Sequence, residues 1–323
     1  MLSNRMFLSA ASLAGGAPGP APAVAVYVPY GYFAAGPSLS TIDRVDYSND
    51  TATAVAKGPL SAARYFVGGV GNSSNGYFAG GGGYSTPVLS TVDRIDYSND
   101  TATAVAKGPL SSARYGMGGS GTSSYGYVGG GDNASHSEIA TVDRITYSSD
   151  TSTTVSKGPL SMARGPIGAS SNSSYGYFAG GVNGSATIVS RVDRVDYAND
   201  TATAVAKGPL SGTRYGVGGA GHTTYGYFGG GYKGPLVSGS PVSIVDRLDY
   251  SNDTATAVAK GTLTVARQNL AATTSSAYAY FAGGLSLSRI DRLDYANDTA
   301  ATVAKGPLSS AKDGLKGNNH FPI

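Results

Sequence analysis

The chain has 323 residues, 41% of them hydrophobic, with 48 Gly and 23 Tyr; that length admits one large all-β domain, and glycine at this density suits short strands joined by tight turns. Its 23 basic and 20 acidic residues leave a net charge of +3, and no Lys/Arg run or basic patch interleaved with aromatics marks a nucleic-acid surface. No apolar run approaches the roughly 20 residues of a membrane-crossing helix, and the absence of Cys excludes disulfides and thiolate metal sites.

The first predicted element, within 1–17, has two readings. Arg5, a mildly apolar stretch and small residues give it the layout of a short signal peptide. Alternatively 5–12 is the first strand of a repeating unit, because Arg5-Met6-Phe7-Leu8-Ser9 lines up with Arg64-Tyr65-Phe66-Val67-Gly68. A Pro/Ala-rich stretch at 20–29 follows and reads as an excursion that could serve as a docking arm.

From there one segment recurs six times, beginning at Asp43, Asp93, Asp143, Asp193, Asp246 and Asp291, at intervals of 50, 50, 50, 53 and 45 residues. Periods of this size with β-type composition indicate propeller blades. In the second unit strands are predicted at 65–70, 76–80, 91–97 and 101–106. Ser98-Asn99-Asp100 signals a turn between the last two. Pro109 cannot continue a ladder, so the chain crosses there to the next unit. Four antiparallel strands repeated about an axis make a six-bladed β-propeller, with blades at about 5–57, 64–107, 114–157, 164–207, 214–260 and 267–305.

The diglycine after an aromatic strand (Tyr77-Phe78-Ala79-Gly80-Gly81), the Asp96-Tyr97 pair and the stretch Pro109-Leu110-Ser111-Ser112-Ala113-Arg114 resemble the kelch repeat over nearly the whole chain. The pattern departs from kelch in having no Trp; Ala104 or Val105 stands near that place, which implies thinner packing between blades. The run Asp-Tyr-Ser-Asn-Asp-Thr-Ala-Thr-Ala-Val-Ala-Lys-Gly-Pro-Leu-Ser is also similar to repeats in virion-associated proteins of marine phages.

At the far end, Pro307-Leu308-Ser309-Ser310-Ala311-Lys312 begins another crossover. The expectation is a propeller over 1–312 whose termini meet, each blade made from one continuous stretch. The tail 313–323 is then left over, to cover the seam or to reach a neighbouring subunit.

Each unit carries one polar set, which in the second is Asp93, Arg94, Asp96, Asp100, Lys107 and Arg114. Repetition in every blade points to a structural network pairing Asp with Arg between blades, since buried charges persist when paired. The Asx turn lacks the alternating oxygens of a calcium loop. Gly80-Gly81-Gly82-Gly83 is followed by neither a helix start nor Lys-Ser/Thr, so it is no phosphate cradle. His136 and His222 fall in loops at opposite ends of their blades. Glu138, the sole Glu, could pair with His136 as acid and base, though a solvated loop pair is the favoured reading. No catalytic residue, metal site or cofactor is expected, and the chain is read as non-enzymatic.

The units differ mainly in the connection between second and third strands: 37–38, 82–90, 132–140, 182–190, 231–244 and 285–288. These loops share a face with the crossovers, and Tyr84, Asn133, His136, Asn183, Tyr232 and Lys233 are the candidate binding residues. The expected role is a virion structural or attachment protein (phage tail, fibre or capsid-associated). Its partners would be other virion proteins and a host surface receptor or glycan, with a homo-oligomer in scope and neither nucleic acid nor membrane insertion. The alternatives are a cellular kelch-type interaction scaffold and a secreted lectin-like propeller.

Overall fold

A computed structural model describes residues 29–37, 39–82 and 87–318. It holds six four-stranded antiparallel sheets whose innermost strands contact one another in a closed ring around an axis. The chain is an all-β, six-bladed propeller. In blade two the strands run from the axis outwards as Gly68–Gly71, Asn75–Ala79, Val92–Asp96 and Val105–Lys107.

The second strand explains how blades stack. Its side chains alternate between two faces, and both faces are buried: Tyr77 packs with Met117, Val128 and Ile145 of blade three, while Phe78 packs with Tyr32, Ile42 and Leu60 from the blade-one side. The core is therefore six inter-blade clusters instead of one central mass. No Trp is needed to fill them. Tyr77 stacks on Tyr147 of the next blade with ring centroids 4.9 Å apart, and the same pairing recurs at all six interfaces, ending with Tyr47 on Tyr280.

A polar knot repeats beside each stack. Asp150 accepts from Tyr77 Oη (3.0 Å) and Arg94 Nη1 (2.8 Å) and is paired with Lys107 Nζ (3.3 Å), all three from the preceding blade. Asp50 closes the circle by taking Tyr280, Arg292 and Lys305 of blade six. The pairing of Asp with Arg between blades is thus present at every interface.

The predicted turn after the third strand is a single 3-10 turn, Tyr97–Asn99, capped by Asp96, whose carboxylate accepts from Ser98 N at 2.9 Å. The outer strand begins later than the expected 101–106. Ala104 N donates to Pro59 O (2.8 Å) on the preceding crossover, which holds the chain out of the sheet until Val105. Ala104 is buried in the cluster between blades one and two, whereas Val105 is 54% exposed and faces solvent.

Blade one corrects the expected closure. Its inner strand is Lys316–Gly317 from the far end of the chain, antiparallel to Tyr30–Ala34 with Phe33 opposite Gly317. Asn318 fixes the register by accepting from Tyr32 N through Oδ1 (3.0 Å) and donating its own N–H to Tyr32 O (3.1 Å). Residues 313–318 are therefore part of the ring, and blade one is built from two separate stretches. The reason is a complete match to the repeat: Leu308, Lys312, Leu315 and Gly317 stand at the spacing of Leu110, Arg114, Met117 and Gly119. Leu2-Ser3-Asn4-Arg5 is one residue short between its Ser and Arg; the strand expected at 5–12 lies outside the described residues, as does nearly all of the arm at 20–29.

The axis itself is shut. A methyl group on Gly119 would overlap the carbonyl of Gly69, and one on Gly317 would overlap the carbonyl of Ala272. Only about 10 Å³ remains between the inner strands, about one water molecule's room. Among the described residues the axis therefore offers no channel for a ligand.

Candidate functional site

The crossovers and the second-to-third connections share one face, as Leu110 N donating to Ser90 O (2.8 Å) demonstrates. At its centre the residues that precede the inner strands form a closed belt of backbone hydrogen bonds. Phe66 N donates to Gly314 O (2.6 Å), Gly116 N to Phe66 O (2.7 Å), and Ile167 N to Gly116 O (3.1 Å). Gly216 N then donates to Pro166 O (3.1 Å), Asn269 N to Gly216 O (2.7 Å), and Gly314 N to Asn269 O (3.0 Å). The step from Pro166 to Ile167 follows from proline having no N–H. Five of the belt residues have φ between 56° and 74°. Three are glycines, and the room they leave is taken by the side chains of Phe66, Pro166 and Asn269; a Cβ on Gly216, for example, would overlap Asn269 Oδ1.

On this belt lies an open basin of about 300 Å³, walled by loops of blades three, four and five. Two walls are homologous hairpins of opposite chemistry. In blade three, Asp132–Asn133 pairs with Arg114–Tyr115, and Asn133 Oδ1 accepts from Ser135 N (2.8 Å) and Ser137 N (3.1 Å). In blade four, Val182–Asn183 pairs with Arg164–Gly165, and Asn183 Oδ1 accepts from Ser185 N (3.1 Å) and Thr187 N (3.0 Å). The backbones agree, down to positive φ at His136 and Ala186. The side chains do not: Asp132, His136 and Glu138 face the basin from one wall, Val182 and Ala186 from the other.

Asp132 is the unusual group. It is 8% exposed, and its carboxylate lies over Gly165, where a Cβ would come within 3.0 Å of Oδ1. Blades two, three and five carry Tyr65, Tyr115 and Tyr215 at the Gly165 position, so the glycine makes the space that the carboxylate occupies. Asp132 and Glu138 are opposite each other in a β-bridge. Burial, with the Glu138 charge second, pushes the Asp132 carboxyl up to about 7. Among the described residues neither acid has an ion-pair partner, although Arg114 and Arg164 lie close by. Those guanidiniums are turned to Asp143 and Asp193. His136 Nδ1 is 2.9 Å from Tyr115 Oη, and Tyr215 supplies a further ring. Such a set can hold a cation between carboxylates and aromatic faces, or take up a proton near neutral pH. No three His, Asp or Glu side chains converge as a metal-ligand set among the described residues.

Of the six candidate residues, His136 lines the basin. Asn133 and Asn183 are the turn-forming residues of the two hairpins, their carbonyls engaged by backbone N–H groups. Tyr232 stands behind the wall, its ring 5.3 Å from that of Tyr215 and its hydroxyl on Leu236 O (3.3 Å). Lys233 is exposed on the blade-five hairpin, opposite Ser240. Tyr84 lies outside the described residues. Phe66, Tyr115, Asp132 and Asn269 were not among the candidates. Asp132 and Gly165 could have been found by aligning the units column by column, because each departs there from its counterparts.

No protein-family model matches the chain, and a search of curated proteins finds no match; the likeness that stands is internal, six copies of one blade.

Proposed function

We propose that the chain is a non-enzymatic recognition protein of kelch type, a virion structural and attachment component that meets a protein or glycan with its variable-loop face. The observation that carries this reading is the contrast between frame and face. The inter-blade knots and stacks repeat at all six interfaces, whereas the second-to-third connections differ from blade to blade on one face, where those of blades three, four and five wall a basin. A rigid scaffold with one differentiated loop surface is the arrangement of binding modules. The similarity of the repeat wording to virion-associated phage proteins supports the particle context, and the charge pattern supports partners other than nucleic acid.

The test is binding of the labelled full chain to a broad glycan and cell-surface panel. A variant whose connection 231–244 is cut to the length of 285–288 runs in parallel, since that change removes Leu236 from the basin wall. Binding by the parent and its loss in the variant is the expected result. Absence of binding by both forms overturns receptor recognition and leaves a purely structural particle role.

A further inference from the structure

We propose that the basin seats the ammonium head of an alkylammonium ligand between Asp132 and Glu138, with its alkyl body over Phe66, Tyr115 and Tyr215. This names the ligand chemistry of the recognition face and rests on that reading.

Two observations, independent of each other, point to a cation. The first is the state of Asp132, nine-tenths buried, facing the basin, and without a hydrogen bond or ion pair among the described residues. An isolated buried carboxylate is costly, and a like-charged residue directly across a β-bridge adds to that cost. The chain carries a net charge of +3 and could have placed a lysine or arginine there. Instead the cations of the neighbouring elements are turned away: Arg114 to Asp143, Arg164 to Asp193, and Lys316 Nζ to Ile167 O (3.0 Å) beneath the belt. The remaining titratable groups around Asp132 are Glu138 and His136 on its own hairpin, Tyr115 on the paired strand and Tyr215 from blade five. The second observation is the lining. Aromatic faces attract cations through their quadrupole, and about 300 Å³ walled by Phe66, Tyr115, Pro166, Val182, Tyr215 and Leu236 suits a chain of several methylenes behind a charged head. The two carboxylates sit together on one hairpin with the aromatic lining beyond them, which suits an amphiphilic cation.

The experiment is calorimetric titration of the full chain with n-butylammonium, n-butylguanidinium, n-butanol and butyrate. The guanidinium arm separates a lysine-like from an arginine-like head. Butylammonium should bind and the neutral and anionic analogues should not. Asp132→Asn should weaken it by roughly tenfold or more, as expected for loss of a charged partner, and Glu138→Gln should weaken it less. At pH 6, in buffers of different ionisation enthalpy, binding should release a proton, and at pH 8 it should not; a structural role of Asp132 would not move that readout. Asp132→Asn leaves the backbone bonds of hairpin and belt in place, so near-UV dichroism verifies its fold. Equal binding of butanol, or unchanged affinity in Asp132→Asn, overturns the proposal. Panel binding without any butylammonium response would overturn the cation site alone and leave recognition by the loop face standing.

Discussion

Lys312 Nζ lies 3.1 Å from Asp43 Oδ2, with both side chains buried, at the place that Arg64, Arg114, Arg164, Arg214 and Arg267 hold in the other five blades. It joins the last stretch of the chain to the first described blade, beside Ser309, whose N–H and hydroxyl also donate to Asp43. The arginine of a typical blade reaches a backbone carbonyl besides its Asp, as Arg114 does at Val128 O (3.0 Å), and Lys312 reaches Thr41 O (3.1 Å). The seam thus copies the repeat with a point charge in place of a fork.

Removing that cation leaves Asp43 buried without its counter-charge. Lys312→Met should cost about 3–5 kcal/mol of unfolding free energy in urea. Combining it with Asp43→Asn should recover part of the loss, the sign of a coupled pair. A change below about 0.5 kcal/mol in the single variant would mean that the C-terminal strand does not hold the ring closed.

The inter-blade knots make a graded prediction. Tyr77→Phe removes one hydrogen bond to Asp150 and should cost about 1 kcal/mol. Asp150→Ala strips three donors of their shared acceptor. Arg94 and Lys107 are partly exposed and can turn to water, so roughly 2–3 kcal/mol is expected. Burial works against ionisation of Asp150, but the hydrogen bonds from Tyr77 and Lys107 and the charge of Arg94 hold its carboxyl below the usual range; Asp50 and Asp200 are held low in the same way. A depressed carboxyl contributes stability above its unfolded value, and that contribution is lost as pH falls through the folded one. Circular dichroism from pH 7 to 2 should therefore find cooperative unfolding below about pH 4. A melting temperature flat to pH 2 would contradict the knots.

The fold was legible because its physics is written six times. Gly-Tyr-Phe strands, Asx turns and Gly-Pro crossovers are local signals, and each recurs in register. Closure was harder, since Arg5 and Lys312 both offer an end for the same slot and only complete spacing from Leu308 to Gly317 decides between them. The basin was least legible. Loop length drew the eye to Tyr232 and Lys233, whereas the group that matters chemically is Asp132, made possible by a missing side chain at Gly165, thirty-three residues away in the next blade. Column-wise departures within a repeat carry that information; loop variability does not.

The crossover glycines test the spacing between blades. A Cβ on Gly108 would overlap the carbonyl of Ser152 in the next blade, and the same holds for Gly58, Gly158, Gly208, Gly261 and Gly306 against their neighbours. Gly108→Ala should therefore destabilise by about 3 kcal/mol, seen as a lowered urea midpoint. At the axis Gly69, Gly119, Gly219 and Gly317 are also close-packed, a neighbouring backbone carbonyl lying 2.1–2.2 Å from where a Cβ would stand, while Ala169 and Ala272 fill the same slot in the other two blades. A Gly108→Ala variant as stable as its parent would show that the blades can separate at the crossovers.

Asp132 gives the molecule a stability profile with its own pH window. Its folded carboxyl is raised to about 7 from an ordinary 3.8, by burial first and by Glu138 second. A raised folded value favours the folded state while the group is protonated, and that contribution disappears as pH climbs from the unfolded value through the folded one. About three units at about 1.4 kcal/mol each set an upper limit of about 4 kcal/mol for the loss between pH 4 and 8. Asp132→Asn keeps the shape and cannot ionise, so its unfolding free energy should exceed that of the parent at pH 8 and converge with it near pH 4. Glu138→Gln should shift the window towards lower pH by removing the neighbouring charge. The difference between parent and Asp132→Asn, rather than either curve alone, is the quantity to measure, because it isolates this one carboxyl. Parallel curves for the two across pH 4–8 would mean that the Asp132 carboxyl is solvated and the basin holds no stored charge.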